Sequence, residues 1–188
     1  MIFTMFQYCP SCGSKKNQFK VNRFHCPDCG FTYYHNTAAA TGCIIQTGEK
    51  IILLVRDKEP SLAKLDIPGG FVDPGEGLLE GLLREIREEL NWEPPIPPGK
   101  PLAEFFTLFA SFPNLYPYKG IDYNTCDIFF TVSVPGLSEK DLTPEAGEIA
   151  AIRFVKPDEI DNNDLAFDST RRAIKAFREF CTATKHHK

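Results

Sequence analysis

Two apolar runs, Ala38-Ala39-Ala40-Thr41-Gly42-Cys43-Ile44-Ile45 and Ile51-Ile52-Leu53-Leu54-Val55, flank the turn Thr47-Gly48-Glu49-Lys50. Short apolar runs around a glycine-containing turn predict a β-hairpin. The period then changes. Leu79, Leu83, Ile86 and Leu90 recur at helical spacing, which predicts one strongly amphipathic helix closed by the break Pro94-Pro95-Ile96-Pro97-Pro98. Further strands are predicted at about 102–111, 126–134 and 148–155. A last helix is predicted from Ser169, its N-cap, to about Lys185, with Ala173, Ile174, Phe177, Phe180 and Cys181 on one side. Strands interleaved with two main helices imply an α/β (α+β) fold, a mixed sheet covered by helices on its faces.

Residues 1–36 read differently. They are rich in aromatics and cysteine and hold little apolar material for a core. Cys9-Pro10-Ser11-Cys12-Gly13 and Cys26-Pro27-Asp28-Cys29-Gly30 are two C-x-x-C turns, and the glycine after each suits a tight knuckle that aims both sulfurs at one metal. Cys9, Cys12, Cys26 and Cys29 are therefore expected to hold a structural Zn²⁺, with redox dithiols as the alternative. Phe19–His25 supplies the ribbon hairpin. His25 and His35 flank the motif but are not needed by a complete shell of four thiolates. The chain is thus divided into a ribbon, 1–36, and a larger domain, 37–188.

Charge and composition narrow the partners. A net charge of −4 and a pI near 5.6 argue against nucleic acid as a partner, although Lys15, Lys16, Lys20 and Arg23 give the ribbon a basic edge. No apolar stretch reaches the roughly 18–20 residues that span a membrane. Met1–Phe6 carries no basic leader, so a cytoplasmic location is expected. Cys43, Cys126 and Cys181 are scattered and expected to fill core positions.

The chemistry gathers on the first helix. Glu85, Glu88 and Glu89 stand at i, i+3 and i+4 and share a face on which like charges repel. Such a face is either a solvated acidic surface or a cation site; hard carboxylate oxygens suit Mg²⁺ or Mn²⁺. Pro68-Gly69-Gly70 allows backbone to approach a ligand closely. Glu76 and Arg84, two helical turns apart, suit bracing of the loop against the helix.

This pattern (Gly, five residues, Glu, seven residues, Arg-Glu-apolar-x-Glu-Glu) resembles the Nudix box, matching at Gly70, Glu76, Arg84, Glu85, Ile86, Glu88 and Glu89 with Trp92 at the closing apolar position. Asn91 stands where that family usually has Gly, a departure that Asn's tolerance of left-handed backbone accommodates. The resemblance implies a Nudix-type mixed β-sheet sandwiched between helices, preceded here by a small four-cysteine zinc ribbon. It implies hydrolysis of a nucleoside diphosphate linked to another moiety, with catalytic Mg²⁺ or Mn²⁺ at Gly69, Glu85, Glu88 and Glu89 and with Gly70, Glu76 and Arg84 structural. Glu85, Glu88 and Glu89 are the catalytic set, and Glu88 or Glu89 is placed to take a proton from the attacking water.

A zinc ribbon ahead of this box is similar to the NADH pyrophosphatase branch, over residues 9 to about 160. That branch carries a further N-terminal domain not found ahead of residue 9, which leaves a homodimer and the substrate open. Its nucleotide-recognition motif corresponds to Ala110–Gly120, where Ser111, Pro113, Tyr116, Tyr118 and Lys119 are the candidate substrate contacts; the departures from Ser-Gln-Pro-Trp-Pro-Phe-Pro leave a packing role open. Glu148 matches a further metal-site glutamate, with a surface role as the alternative. Arg56 is read as a phosphate contact or a surface charge. ADP-ribose and NAD(H)-like compounds are the expected substrates. Nucleoside triphosphate cleansing and RNA decapping use the same chemistry. A nucleotide-binding regulator with a partner-binding ribbon is the non-enzymatic alternative.

Overall fold

The computed structural model describes residues 6–185, with side chains to Cys181. Met1–Met5, read above for a leader, lie outside the described residues. The two apolar runs form β4 (Ala38–Thr47) and β5 (Lys50–Arg56), paired antiparallel through Gln46–Ile51 and Thr47–Lys50. Both strands are buried on both faces. Cys43, Ile45, Ile52 and Leu54 face one core, while Ile44, Ile51 and Leu53 face a second. That explains their continuous apolar spelling, because a strand covered on both sides loses the polar half of its alternation.

Before this hairpin lies a separate sheet of β1 (Gln18–Lys20), β2 (Arg23–His25) and β3 (Thr32–Tyr34), paired β1-β2-β3. Phe24, Cys9 and Cys26 are its buried centre. After β5 come β6 (Leu65–Asp66), β7 (Gly69–Phe71), α1 (Leu78–Leu90), α2 (Leu102–Phe105), β8 (Thr107–Tyr118), β9 (Ile121–Ser133), β10 (Ile149–Val155) and α3 (Asp168–Lys185). The large sheet runs β10-β5-β4-β9-β8, with β6 on β5 and β7 on β4; β4 and β9 are parallel, the other pairs antiparallel.

Helix α1 covers one face through Leu82, Ile86 and Leu90, and α3 covers the other through Ala173, Ile174 and Phe177. Leu82, absent from the predicted apolar stripe, is fully buried within it. Truncating one such side chain to Ala costs about 2–5 kcal/mol. The sheet between two helices is the mixed α+β architecture expected.

Four local expectations change. Helix α1 ends at Leu90, where Asn91 takes φ 45° and ψ 43°, so the left-handed cap stops it ahead of the prolines. Leu102–Phe105 is one helical turn rather than strand, because Leu102, Phe105 and Phe106 meet the core at helical spacing. The strand predicted to end near 111 continues through the Pro- and Tyr-rich stretch: β8 runs past Pro113 and Pro117 to Tyr118, on the sheet edge where a missing N–H is tolerated. Ser169 is not the cap of α3, since the first helical bond runs from Arg171 N–H to the Phe167 carbonyl and Ser169 lies buried inside the first turn. Of the three scattered cysteines expected in the core, Cys43 is buried and Cys181 half-buried, but Cys126 is exposed, because it falls on the outward side of β9.

Candidate active site

The loop from β7 to α1 is built around Arg84. Its Nε donates to Glu76 Oε1 at 2.8 Å and its Nη2 to Glu76 Oε2 at 3.0 Å, while Nη2 also reaches the Phe71 carbonyl at 3.0 Å. Glu76 Oε2 in turn accepts from Asp73 N–H at 3.0 Å. A two-pronged guanidinium–carboxylate pair has fixed geometry, so it sets the loop's distance from the helix. The Arg84 hydrogen bond, followed by the Asp73 N–H, holds the Glu76 carboxyl below its usual range.

Both glycines of β7 leave room that a side chain would fill, for different reasons. A Cβ on Gly70 would lie 2.5 Å from Glu85 Oε1. One on Gly69, where φ is +144°, would lie 2.1 Å from the Thr41 carbonyl oxygen. The bare backbone lets β7 run beside β4 and leaves room for the Glu85 carboxylate on Gly70.

Glu85, Glu88 and Glu89 present graded exposure. Glu89 is 9% exposed and Oε2 accepts from Gly69 N–H at 2.7 Å. Burial raises its pKa well above the ordinary carboxylate range, and nearby Glu85, Asp66 and Glu148 push the same way. Glu85 is also raised, chiefly by burial, with Arg84 opposing. Arg84 Nη1 donates to Glu85 Oε1 at 2.8 Å and to Glu88 Oε2 at 3.0 Å.

Glu148 comes from the turn before β10. Glu145 N–H bonds to the Glu89 carbonyl at 3.1 Å and Asp57 N–H to the Glu148 carbonyl at 2.8 Å, so both the helix end and β5 fix this turn. Its carboxylate is ion-paired with Lys58. All four glutamates line one cavity of about 340 Å³. Across it, Phe71, Tyr116 and Phe167 form an aromatic wall; Tyr116 lies 5.4 Å from Phe71 and 5.5 Å from Phe167, centroid to centroid. Asn114, Thr125 and Asp127 add polar groups, with Thr125 Oγ1 donating to Asp127 at 2.6 Å.

Of the candidate substrate contacts, Tyr116 alone lines this cavity. Ser111 and Pro113 alternate onto the other side of β8, Tyr118 is largely exposed, and Lys119 sits in the hairpin turn with Nζ 5.1 Å from the Tyr118 ring centre. Asn114 shares Tyr116's side by the two-residue alternation, a signal legible once the stretch is taken as strand. Arg56 is no free surface charge. It donates to Asp66 at 3.3 Å and to the Pro60 carbonyl at 2.8 Å, and stacks 5.0 Å from the Phe167 ring centre. Asp66 also accepts from Thr170, 104 residues away, at 2.8 Å. Phe167, Thr170, Asp127 and Asp66 were not singled out in the sequence, because their elements meet only in the tertiary fold.

The second candidate centre is the cysteine cluster. Among the described residues, Cys9, Cys12, Cys26 and Cys29 form the one group of metal-capable donors lying within 4.8 Å of one another. Gly13 and Gly30 take φ of 73° and 76°, and each donates its N–H to the carbonyl of the first cysteine in its turn at 2.9 Å. The Sγ–Sγ distances of 3.7 Å for Cys9–Cys29 and for Cys12–Cys26 suit a tetrahedral ion with bonds of about 2.3 Å, whose ligand atoms lie roughly 3.8 Å apart. Burial raises the Cys9 thiol, but the N–H groups of Cys12 and Ser11 and then the neighbouring thiols bring it down to about 7. At Cys12 the Ser14 N–H is outweighed by those thiols and by burial, which push it up to about 12. His25 points instead to Thr32, with Nδ1 to Oγ1 at 3.0 Å.

A helix bearing three glutamates at i, i+3 and i+4, entered by a glycine-rich strand and braced by an Arg–Glu pair on a mixed sheet, defines a Nudix-type domain. The sequence profile described as NUDIX domain matches residues 36–177, and the chain belongs to this family. An ADP-ribose pyrophosphatase of Methanocaldococcus jannaschii is 39% identical over 64 residues, covering 34% of this chain and 37% of that protein. The NAD-capped RNA hydrolase NudC of Pseudomonas fluorescens is 32% identical over 88 residues, 46% of this chain and 32% of that one. The chain thus spans about a third of the length of these curated relatives. In fold it is similar to a NUDIX hydrolase from Nitrosomonas europaea, with TM-score 0.59, 24% identity, and 89% of this chain and 88% of that chain covered. It is likewise similar to the NUDIX domain of Shewanella oneidensis NrtR complexed with ADP ribose, with TM-score 0.61, 18% identity, and 79% and 90% covered. Among the described residues, no helix is long and apolar enough to cross a membrane.

Proposed function

We propose that this protein hydrolyses the diphosphate bond of a nucleoside diphosphate linked to another moiety, of the ADP-ribose or NAD(H) kind. The observation that carries the reading is the meeting of Glu85, Glu88, Glu89 and Glu148 with an aromatic wall in one cavity. In the relatives' names, ADP-ribose and NAD-capped RNA are the substrates.

The carboxylate set fits hard divalent ions. It offers oxygen donors of graded exposure, and it buries Glu89's charge against three other acids with a single N–H in compensation. Glu85, Glu88, Glu89 and Glu148 would hold Mg²⁺ or Mn²⁺, with Gly69 contributing backbone at the same place. Bound there, the ions supply acidification of a coordinated water and neutralisation of diphosphate oxygens. The protein's own residues do the rest. Gly69 N–H holds Glu89 in one rotamer, Arg84 orients Glu85 and Glu88, and Glu88 or Glu89 accepts the proton of the attacking water. Tyr116 and Phe167 stack against the planar part of the nucleotide. The four-cysteine cluster holds Zn²⁺ as a structural ion, residues 1–36 and 37–188 are separate folding units, and the protein works in the cytoplasm.

Incubation with a dinucleotide panel and Mg²⁺ or Mn²⁺ is expected to release a nucleoside monophosphate, and Glu88→Gln to reduce release at least roughly 100-fold. No turnover across the panel sinks the enzymatic reading. Tight nucleotide binding without turnover would favour a regulator, a reading supported by the ADP ribose complex of the NrtR NUDIX domain.

A further inference from the structure

The small sheet has two chemically distinct faces. Its pairing register is Lys20–Arg23–Tyr34, Phe19–Phe24–Tyr33 and Gln18–His25–Thr32 across the three strands. Directly opposed residues of antiparallel strands share a face, and neighbours along a strand alternate. The middle row packs inward: Phe24 is buried, meets Phe19 at 5.3 Å, and rests with Tyr33 on Phe6. The two outer rows stand together on the opposite face. Four of their six residues are exposed, and Arg23 and His25 are half-buried.

That face is basic where the molecule is acidic. Residues 1–36 hold Lys15, Lys16, Lys20 and Arg23 against the single acid Asp28, in a chain with 21 basic and 25 acidic residues. Asp28 is taken by Lys16 at 3.1 Å, and Lys15 lies over the Tyr8 ring at 5.4 Å. Lys20 and Arg23, side by side on the open face, have no ion pair among the described residues. Tyr34, next in their row, is 52% exposed. Core packing explains none of these three side chains.

We propose that this face binds single-stranded RNA. An exposed aromatic ring at the end of a row of two cations without ion pairs is what an unstacked base and its phosphates require. Three strands set about 4.8 Å apart make a platform about 10 Å wide, room for two or three nucleotides. In the second row the Thr32 hydroxyl is held by His25 Nδ1 and the Gly30 carbonyl, which leaves the Gln18 amide and the other imidazole nitrogen of His25 to hydrogen-bond the 2′-hydroxyls that DNA lacks. Sequence alone shows the same cations as a thin edge on an acidic protein; the register turns them into one surface. The inference does not depend on the catalytic reading, because binding is measured without turnover.

Fluorescence anisotropy of the full chain, with its metal content verified, against a single-stranded RNA of about ten nucleotides tests it. Tyr34→Ala is expected to weaken binding about tenfold. Lys20→Gln with Arg23→Gln is expected to lower the slope of log K against log salt by about 0.7 for each cation removed. Lys175→Gln, an exposed lysine on α3, is expected to change neither. Equal thermal stability of all variants shows that a loss is local. Failure of the full chain to bind, an unaltered salt slope in the double variant, an equal loss in Lys175→Gln, or equally tight binding of the matching DNA would each overturn the assignment.

Discussion

Glu89 Oε2 accepts a hydrogen bond from the Gly69 backbone at 2.7 Å, which ties the buried end of the glutamate helix to the glycine strand. One N–H is thin compensation for a carboxylate that is 9% exposed and faces Glu85, Asp66 and Glu148. The site therefore stores an electrostatic conflict in the metal-free protein.

That conflict has a pH signature. Burial first, and then neighbouring acids, raise Glu89's folded pKa above its unfolded value, so its contribution to stability is fully present below about 4.3 and is lost as pH rises through the folded value. Metal-free Glu89→Gln keeps an acceptor for Gly69 N–H without the charge. At pH 8 it is expected to melt about 3–6 °C above the unsubstituted protein, equivalent to roughly 1–2 kcal/mol at this size. Added Mn²⁺ should reverse the order. Parallel melting curves from pH 4 to 8 would show that Glu89 carries no such strain.

Glu76 has the opposite sign. Its hydrogen bonds from Arg84 and then Asp73 depress the folded pKa, so its contribution is present above about 4.3 and disappears as pH falls through the folded value. Glu76→Gln is expected to lower the melting temperature at pH 7 and to flatten the acid limb below pH 4. Arg84→Lys loses the two-pronged geometry and is expected to reduce turnover about 10–100-fold through displacement of Glu85 and Glu88. Turnover unchanged in Arg84→Lys would remove the bracing role.

Gly70→Ala and Gly69→Ala separate site from scaffold. The first meets the Glu85 carboxylate, the second the Thr41 backbone. Gly70→Ala is expected to weaken Mn²⁺ binding and cut turnover about 100-fold with a small change in melting temperature. Gly69→Ala, strained in φ and sterically opposed by backbone, is expected to destabilise by on the order of 3 kcal/mol in urea unfolding. The reverse pattern would mean that the two glycines have been assigned the wrong roles.

Metal removal from the cysteine cluster should act locally. Hydrogen exchange after chelation is expected to deprotect amides of β1, β2 and β3 while those of β4, β5 and β9 stay protected, since the small sheet pairs only with itself. Cys26→Ser is expected to give the same map without chelator. Loss of protection throughout the large sheet would show one cooperative unit instead of two.

Much of this was legible along the chain. Glu85, Glu88 and Glu89 converge because helical geometry is local, and the C-x-x-C knuckles close because each turn is a few residues long. The hairpin β4–β5 was likewise readable from its apolar runs. Pro113 and Pro117 hid the second half of β8, since the strand legible in the sequence stops near 111 and only a place on the sheet edge lets it run on through two prolines. Ser169 misled too, because it is buried within the first turn of α3, one position inside the helix, and does not cap it.

The sequence by itself determined the glutamate helix, its Arg84–Glu76 brace and the four-cysteine cluster, all products of spacing within one segment. Tertiary structure decided which distant residues face them. Asp66 met Thr170 across 104 residues, Glu148 reached the glutamates through the pairing of β10 with β5, and Phe167 and Tyr116 closed the same cavity from α3's approach and the sheet edge. The difference is physical. Helical and turn geometry follow from a few dihedral angles, whereas these meetings depend on how two hydrophobic cores on opposite faces of one sheet are buried at once.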